Sequence, residues 1–406
     1  MNIPLHELLF SLSHALDFVE RELVGITTNH GKRCAYISAC ICKTLGFSPA
    51  DTFDMVSCAL LHDNALTAYL LKGGYRDMRK LEHIESHCSI GEKNAMAFPF
   101  AGNAQGIILH HHENWNGTGY HKLAGEDIPL RACVLRLADL MDRMLRMGDG
   151  RSALTDDIRA HSRKFSGKLY APQVVEALND ILTRDMVRDL ADDAIDAALR
   201  RVAPPVTMHL CMEKLLEVCS IFALIIDAKS PFTKNHTYGV TKTVERFCGL
   251  VGLTEENRKK LIIAGHLHDV GKLSTPAAIL EKPDKLTEEE WVVMRTHVSM
   301  TEQLLNDITG MEEIALWAVM HHEKLNGTGY PHGRSELPLE GRLIACCDIY
   351  QALREDRPYR KGLDFAKTLD IMEDMAVKGE IDGEIVNIIK KKEAPFDSRD
   401  AIFPSV

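Results

Sequence analysis

One string occurs twice in this chain of 406 residues. His111-His112-Glu113-Asn114-Trp115-Asn116-Gly117-Thr118-Gly119-Tyr120 returns 210 positions later as His321-His322-Glu323-Lys324-Leu325-Asn326-Gly327-Thr328-Gly329-Tyr330, followed by Pro331. Two adjacent histidines and then a turn with two glycines describe a helix end able to hold a metal, with a backbone loop after it. Aligning the halves on this string brings other polar landmarks into register. His30 and His236 are 206 apart, as are His62-Asp63 and His268-Asp269; His87 matches His297 at 210, and Asp139 matches Asp348 at 209. In each half 32 residues separate the first histidine from the His-Asp pair, and 24 separate His87 or His297 from the double histidine. Seven ligand-type residues in the same order at nearly constant spacing mark a duplication, so the chain must fold as two related domains.

Its length suits two domains of roughly 200 residues. The boundary is expected near Arg201-Val202-Ala203-Pro204-Pro205, where two prolines end an Ala- and Asp-rich helix, giving domains at 1–203 and 206–406. Both read as helical. Leu261, Ile262, Ile263, Ala264 and Leu267 are spaced as one apolar helix face leading to His268. Thr287 with Glu290 forms a capping box that starts the helix carrying His297, and Leu343, Ile344 and Ala345 lead into Asp348 on another helix. Strand-like alternation is scarce, so the expected fold class is all-α, a helical bundle in each of two tandem copies.

Composition excludes several classes. With 45% apolar and 26% charged residues the chain is that of a soluble globular protein, and a net charge of −10 argues against a nucleic acid polymer as main partner. No run reaches the roughly 18–20 apolar residues of a membrane span. Glu7 and Asp17 interrupt the apolar N-terminus and no basic segment precedes them, so a signal peptide is not expected. Eleven cysteines without paired metal spacing fit free thiols in a reducing cytoplasm. The oligomeric state is open, a homodimer included. Nineteen histidines exceed what packing needs and direct attention to metals.

Hard or borderline divalent ions take imidazole nitrogen and carboxylate oxygen, and adjacent ions need a bridging carboxylate. The second half offers His236, His268, Asp269, His297, His321, His322 and Asp348, enough for two ions if Asp269 bridges them. With no cysteine in that set, iron or manganese is favoured over a thiolate zinc site.

His268-Asp269 followed by Gly271-Lys272, then the Asn326-to-Pro331 loop, then Arg357-Pro358-Tyr359-Arg360, resembles the HD-GYP branch of the HD metal-dependent phosphohydrolases. The resemblance is strong over about residues 215–375 and weaker over about 10–150. It implies a helical domain with two or three iron or manganese ions that hydrolyses a cyclic dinucleotide, cyclic di-GMP or 3′,3′-cyclic GMP-AMP, to linear dinucleotide or mononucleotides. It assigns His236, His268, Asp269, His297, His321, His322 and Asp348 as metal ligands. Asp227, nine residues before the first histidine, stands where some members hold a third ion through glutamate. A hydroxide between two ions would attack phosphorus, with Asp269 bridging the ions. Lys272 would hold a non-bridging phosphate oxygen, and Arg357 and Arg360 would clamp the second phosphate or a guanine edge. Gly327 and Gly329 would take positive φ angles beside the site, and Tyr330 and Pro331 would shape the loop.

The first half keeps His30, His62, Asp63, His87, His111, His112 and Asp139, so it should still bind metal. Leu66 stands in place of Lys272, His121 in place of the loop proline, and Arg21, flanked by Glu20 and Glu22, in place of Asp227. Only Arg151 survives of the four-residue arginine motif. The expectation is a metal-loaded copy with weak or no activity, regulatory or structural in role; the alternative is a second hydrolase with a different substrate choice. For the whole chain two further readings stand beside the phosphodiesterase: a non-catalytic cyclic-dinucleotide-binding signalling protein, and a general HD nucleotidase.

Overall fold

A computed structural model describes residues 3–24, 29–67, 85–147, 154–204, 206, 208–230, 236–356 and 361–393. They fall into two compact units, Pro4–His209 and Leu210–Val406 with Met1–Ile3. The change of unit comes a few residues after the two prolines, because the backbone N–H of Leu5 donates to the Met208 carbonyl at 2.9 Å and ties that stretch into the first unit. Strand is confined, among the described residues, to the two-residue elements Ile3–Pro4 and His209–Leu210; the fold is all-α. No helix among the described residues is long and apolar enough to cross a membrane.

In the first unit, helices Leu5–Val24, His30–Thr44, Pro49–Leu61, Ser86–Ala95 and Leu130–Met147 precede four more among the described residues, the last ending at Val202. Ser48 starts the third of these by accepting the Asp51 N–H at 3.1 Å, with Pro49 preset at the first helical position. The helix runs buried to Leu61 and delivers His62 at its C-terminal cap.

The second unit repeats the plan with Met212–Asp227, His236–Val251, Glu255–Leu267, Glu288–Asn306, Glu312–Ala318 and Leu339–Arg354, then Phe365–Val377 and Gly383–Glu393. Thr254 caps Glu255–Leu267 by accepting the Asn257 N–H at 3.2 Å, and His268 is its C-cap. Leu261, Ile263, Ala264 and Leu267 are fully buried there, whereas Ile262 is half-buried and lies off the apolar face. The Thr287–Glu290 capping box is present, with bonds of 3.3 and 2.7 Å.

Leu339–Arg354 is the central helix: Leu343, Ile344, Ala345, Cys346, Cys347, Asp348, Tyr350 and Gln351 are all buried, and apolar burial on every side marks a core element. Truncating Leu343 to alanine there should cost about 2–5 kcal/mol. The helix lies close against His236–Val251 because Gly239 has no side chain; a Cβ would stand 2.2 Å from the Gln351 amide nitrogen. That approach brings His236 to Asp348.

Candidate metal centre

Several of the candidate histidines are oriented by a carbonyl three residues earlier in their own turn. Nδ1 of His268 lies 2.8 Å from the Gly265 carbonyl, that of His297 2.6 Å from Met294 O, and that of His321 2.7 Å from Ala318 O. In the first half His62 and His111 do the same with Ala59 O at 2.8 Å and Ile108 O at 2.6 Å. A proton on Nδ1 satisfies the carbonyl and leaves Nε2 as a lone-pair donor facing inward, the arrangement of a histidine readied for a cation.

Asp269 stands between two groups of imidazoles. Its Oδ2 is 3.2 Å from His268 Nε2 and 3.9 Å from His236 Nε2; its Oδ1 is 3.4 Å from His297 Nε2 and 3.8 Å from His321 Nε2. Asp348 adds Oδ1 at 3.1 Å from His236 Nε2 and Oδ2 at 3.9 Å from His322 Nδ1. Ligand atoms of His236, His268 and Asp269 lie within 4.8 Å of one another, as do those of His297, His321 and His322.

The first half matches. Asp63 Oδ2 is 3.4 Å from His62 Nε2 and its Oδ1 is 3.5 Å from His87 Nε2 and 3.8 Å from His111 Nε2, while His30 Nε2 is 3.5 Å from Asp139 Oδ1.

Chemistry tests whether these residues fit metal ions. Buried polar atoms are nearly always paired, yet Nε2 of His268, Oδ1 of Asp269, Nε2 of His62 and His111 and Oδ1 of Asp63 are buried without a hydrogen-bond partner. All five point to where the imidazoles and carboxylates converge. Burial lowers His297 to about 4, His322 to about 3 and His111 to about 3, with His321 and His112 well below the usual range, whereas at His236 Glu355 and Asp348 outweigh burial and raise it, and His30 is raised as well. Burial works against ionising Asp269, but His268 and Lys272 outweigh it and hold the carboxyl well below its ordinary value. Neutral nitrogen donors beside ionised carboxylates are the form a divalent cation needs; the five lowered imidazoles already have it, His236 and His30 reach it by releasing a proton on binding, and the residues fit.

A cavity of about 400 Å³ opens on the second-half centre. Its walls include His236, His297, His322 and Asp348, with Lys272, Trp291 and Tyr330 around them. Lys272 Nζ is 2.5 Å from Asp269 Oδ2. The Tyr330 ring stacks at 4.7 Å and 34° on His322, with the Arg295 guanidinium 5.3 Å from its centre.

Gly327 has φ 75, as expected. Gly329 does not; its requirement is space, because a Cβ would stand 2.4 Å from Lys324 N and 2.5 Å from Glu323 Cα. The loop amides are used internally: Tyr330 N donates to His322 O at 3.1 Å and Gly327 N to Lys324 O at 2.9 Å. Asp227 accepts the N–H groups of Thr237 at 3.0 Å and Tyr238 at 3.2 Å, so its carboxylate caps the helix carrying His236. Arg357 and Arg360 lie outside the described residues, as does Arg151.

Sequence reading passed over three kinds of residue. Glu355 lies 3.0 Å from Nδ1 of His236, and Asp142 lies 2.7 Å from Nδ1 of His30. Their signal was helical spacing, seven residues after Asp348 and three after Asp139. Glu323 is buried and accepts His332 N at 2.8 Å and Arg334 N at 2.9 Å, closing the glycine loop; Glu113 repeats this with His121 N at 2.7 Å and Leu123 N at 2.9 Å. Glu20, beside the position aligned with Asp227, is buried with Oε2 unpaired 3.9 Å from His30 Nε2.

Comparison with known proteins places the chain in a family. Residues 19–160 and 220–385 both match the HD domain family. The 3'3'-cGAMP-specific phosphodiesterase 3 of Vibrio cholerae is 31% identical over 96% of this chain and 94% of its own, and the 3'3'-cGAMP-specific phosphodiesterase 1 of the same organism is 26% identical over 97% and 93%. A cyclic di-GMP phosphodiesterase of Thermotoga maritima is 32% identical over 36% of this chain and 41% of its own. The crystal structure of a cyclic GMP-AMP specific phosphodiesterase from V. cholerae superposes with a TM-score of 0.68 at 26% identity, over 96% of this chain and 98% of that one. Matched in both halves and along nearly its whole length, the chain belongs to the HD domain family of phosphohydrolases, with an HD-GYP copy as its second half.

Proposed function

We propose that the second half hydrolyses a cyclic dinucleotide, with 3′,3′-cyclic GMP-AMP the foremost substrate. The observation that carries this reading is Asp269, whose two oxygens face two separate imidazole groups beside a cavity that also holds Lys272. The relatives matched along nearly the full chain are named for cyclic GMP-AMP, whereas the cyclic di-GMP phosphodiesterase covers about a third of it.

Two divalent ions, iron or manganese by the all-N/O donor set of the second half, would supply an acidified water and neutralise charge developing at phosphorus. His236, His268, Asp348 and one oxygen of Asp269 would hold one ion; His297, His321, His322 and the other oxygen would hold the second. Lys272 faces the cavity from beside Asp269 and, with the carboxylate engaged by metal, is free to take a non-bridging phosphate oxygen. Tyr330 and the half-exposed Trp291 offer faces on which a purine can stack, and Arg295, 6.0 Å from the Trp291 ring centre and 5.3 Å from Tyr330, adds positive charge there.

The first half reads as a metal-holding copy with a regulatory or structural role, in a domain comparable to the expected 1–203. Leu66 is fully buried at the position of Lys272 and brings no charge. Arg143 forms an ion pair with Asp139, at the position where the second half has Ala352 on the cavity wall.

The test is product release by the purified, reduced, metal-loaded chain given cyclic GMP-AMP or cyclic di-GMP. Linear dinucleotide or mononucleotides are expected, faster from cyclic GMP-AMP. Tight binding of either nucleotide without product would replace the enzyme with a nucleotide sensor.

A further inference from the structure

The two metal centres differ in one donor type. Cys34 and Cys88 are fully buried in the first half, and the aligned positions of the second half, Val240 and Val298, are equally buried. Both sulfurs lie against a candidate imidazole, 3.8 Å from His30 Nδ1 for Cys34 and 4.0 Å from His87 Nδ1 for Cys88, and each reaches the inward nitrogen of the same ring. Cys34 Sγ is 3.6 Å from His30 Nε2, and Cys88 Sγ is 3.6 Å from His87 Nε2. One ligand atom from each of His87, Cys88, His111 and His112 lies within 4.8 Å of every other, and the same holds for His30, Cys34 and His62.

We propose that the first-half centre is a mixed imidazole–thiolate site selective for zinc, with Cys88 completing a donor set with His87, His111 and His112 and Cys34 standing beside His30 and His62. The proposal rests on the reading that the first half holds metal, and it assigns that metal a class different from the second half's.

Tetrahedral zinc with one sulfur and three nitrogens needs donors about 3.5 Å apart, given Zn–N near 2.0–2.1 Å and Zn–S near 2.3 Å. The Cys88 cluster, with its ligand atoms within 4.8 Å of one another, reaches that by drawing together and by turning the Cys88 thiol from the His87 ring toward the inward nitrogens. Asp63 Oδ1, unpaired and 3.5 Å from His87 Nε2, faces the same ring as Cys88 does. A thiolate shifts preference toward soft or borderline ions, so zinc gains over manganese at this centre, while the second half keeps valine at both positions and stays with nitrogen and oxygen. Binding forms a zinc–sulfur bond and breaks the S–H bond, the thiol proton leaving to water; no electron moves and no co-reactant is needed.

Two valines in one copy against two cysteines in the other, on two different helices and both beside ligating histidines, separates this from a cysteine that merely fills a core. A packing role would not need each sulfur to fall within a cluster of candidate ligand atoms, Cys88 with His87, His111 and His112 and Cys34 with His30 and His62.

The experiment uses the full chain carrying His268→Ala, Asp269→Ala, His297→Ala and His322→Ala, so that both ion positions of the second centre lose their donors, and cobalt(II) as the spectroscopic probe. Expected is a near-ultraviolet thiolate-to-cobalt charge-transfer band, lost when Cys34→Val and Cys88→Val are added. Zinc retention against a chelator should weaken by more than about tenfold in Cys88→Val, since even losing an outer partner costs 10–100-fold. Valine is what the second half carries at that position, and Cys88→Ser serves as the second variant if the first does not fold. Cobalt bound without a charge-transfer band overturns the thiolate assignment while leaving a metal in the first half. No cobalt bound at all overturns both the assignment and the reading it rests on.

Discussion

Glu355 lies 3.0 Å from Nδ1 of His236, across the ring from Asp348, whose Oδ1 is 3.1 Å from Nε2. An imidazole between two carboxylates keeps its proton: burial works to lower His236, but Glu355 and Asp348 raise it to about 10 in the metal-free chain. The folded state therefore binds this proton more tightly than the unfolded one. Its stabilising contribution is complete below about 6.5 and is lost as pH rises toward about 10. In the difference between the metal-free chain and Glu355→Gln, stability should decline across that window. The same variant should weaken metal binding about 10–100-fold, because Glu355 is the partner that aims the ring. Equal metal titrations for variant and parent would remove that role.

Lys272→Leu installs the residue that the first half carries at Leu66. Metal content should be unchanged, because Lys272 contacts Asp269 but donates to no metal. Losing a fixed cation beside the phosphate should lower kcat by about 10²–10³. Parallel assays of kcat and metal stoichiometry check this; a KM effect alone would mean that the lysine acts only in ground-state binding.

Much of the candidate site was legible because ligand-type residues are picked out by chemistry and by spacing. His236, His268, Asp269, His297, His321, His322 and Asp348 had to meet if the duplication meant anything, and the capping box at Thr287 is a local signal that tertiary packing had no reason to override. What escaped depends on contacts between distant segments. Glu355 reaches His236 across 119 positions, and Asp142 reaches His30 across 112. Whether Asp142 or its counterpart Gln351 faces the ring depends on whether Arg33 or Gly239 stands opposite. Arg33 pairs with Asp142, while Gly239 leaves room for Gln351 and the carboxylate moves a turn along to Glu355. Asp227 belongs with these: its place nine residues before His236 suggests a ligand, and what position alone does not show is that its oxygens accept the backbone amides of Thr237 and Tyr238.

Gly329→Ala should be destructive although φ at this residue is ordinary. The new methyl would meet Lys324 N at 2.4 Å and Glu323 Cα at 2.5 Å, both backbone atoms that cannot swing aside. Overpacking of this kind costs about 1–3 kcal/mol, and relief requires the loop to leave His322 and Tyr330. Lower melting temperature together with reduced metal retention is the expected pair of results; a variant that melts and binds metal like the parent would show that the loop yields freely.

Asp227 offers a direct count of ions. Burial raises its carboxyl to about 6, against the opposing pull of Thr237 and His236. With the folded value above the ordinary 3.8, the folded chain takes up this proton more readily than the unfolded chain. The contribution of this residue to stability therefore falls as pH rises from about 4 to about 6. Asp227→Asn should remove that slope from the metal-free chain, measured as urea midpoints at several pH values for both proteins. Because both oxygens already accept N–H groups from Thr237 and Tyr238, metal stoichiometry should be the same in parent and variant. A loss of one ion per chain in Asp227→Asn, with the other ions retained, would instead make Asp227 the ligand of a third site and would mean that metal loading breaks the helix cap.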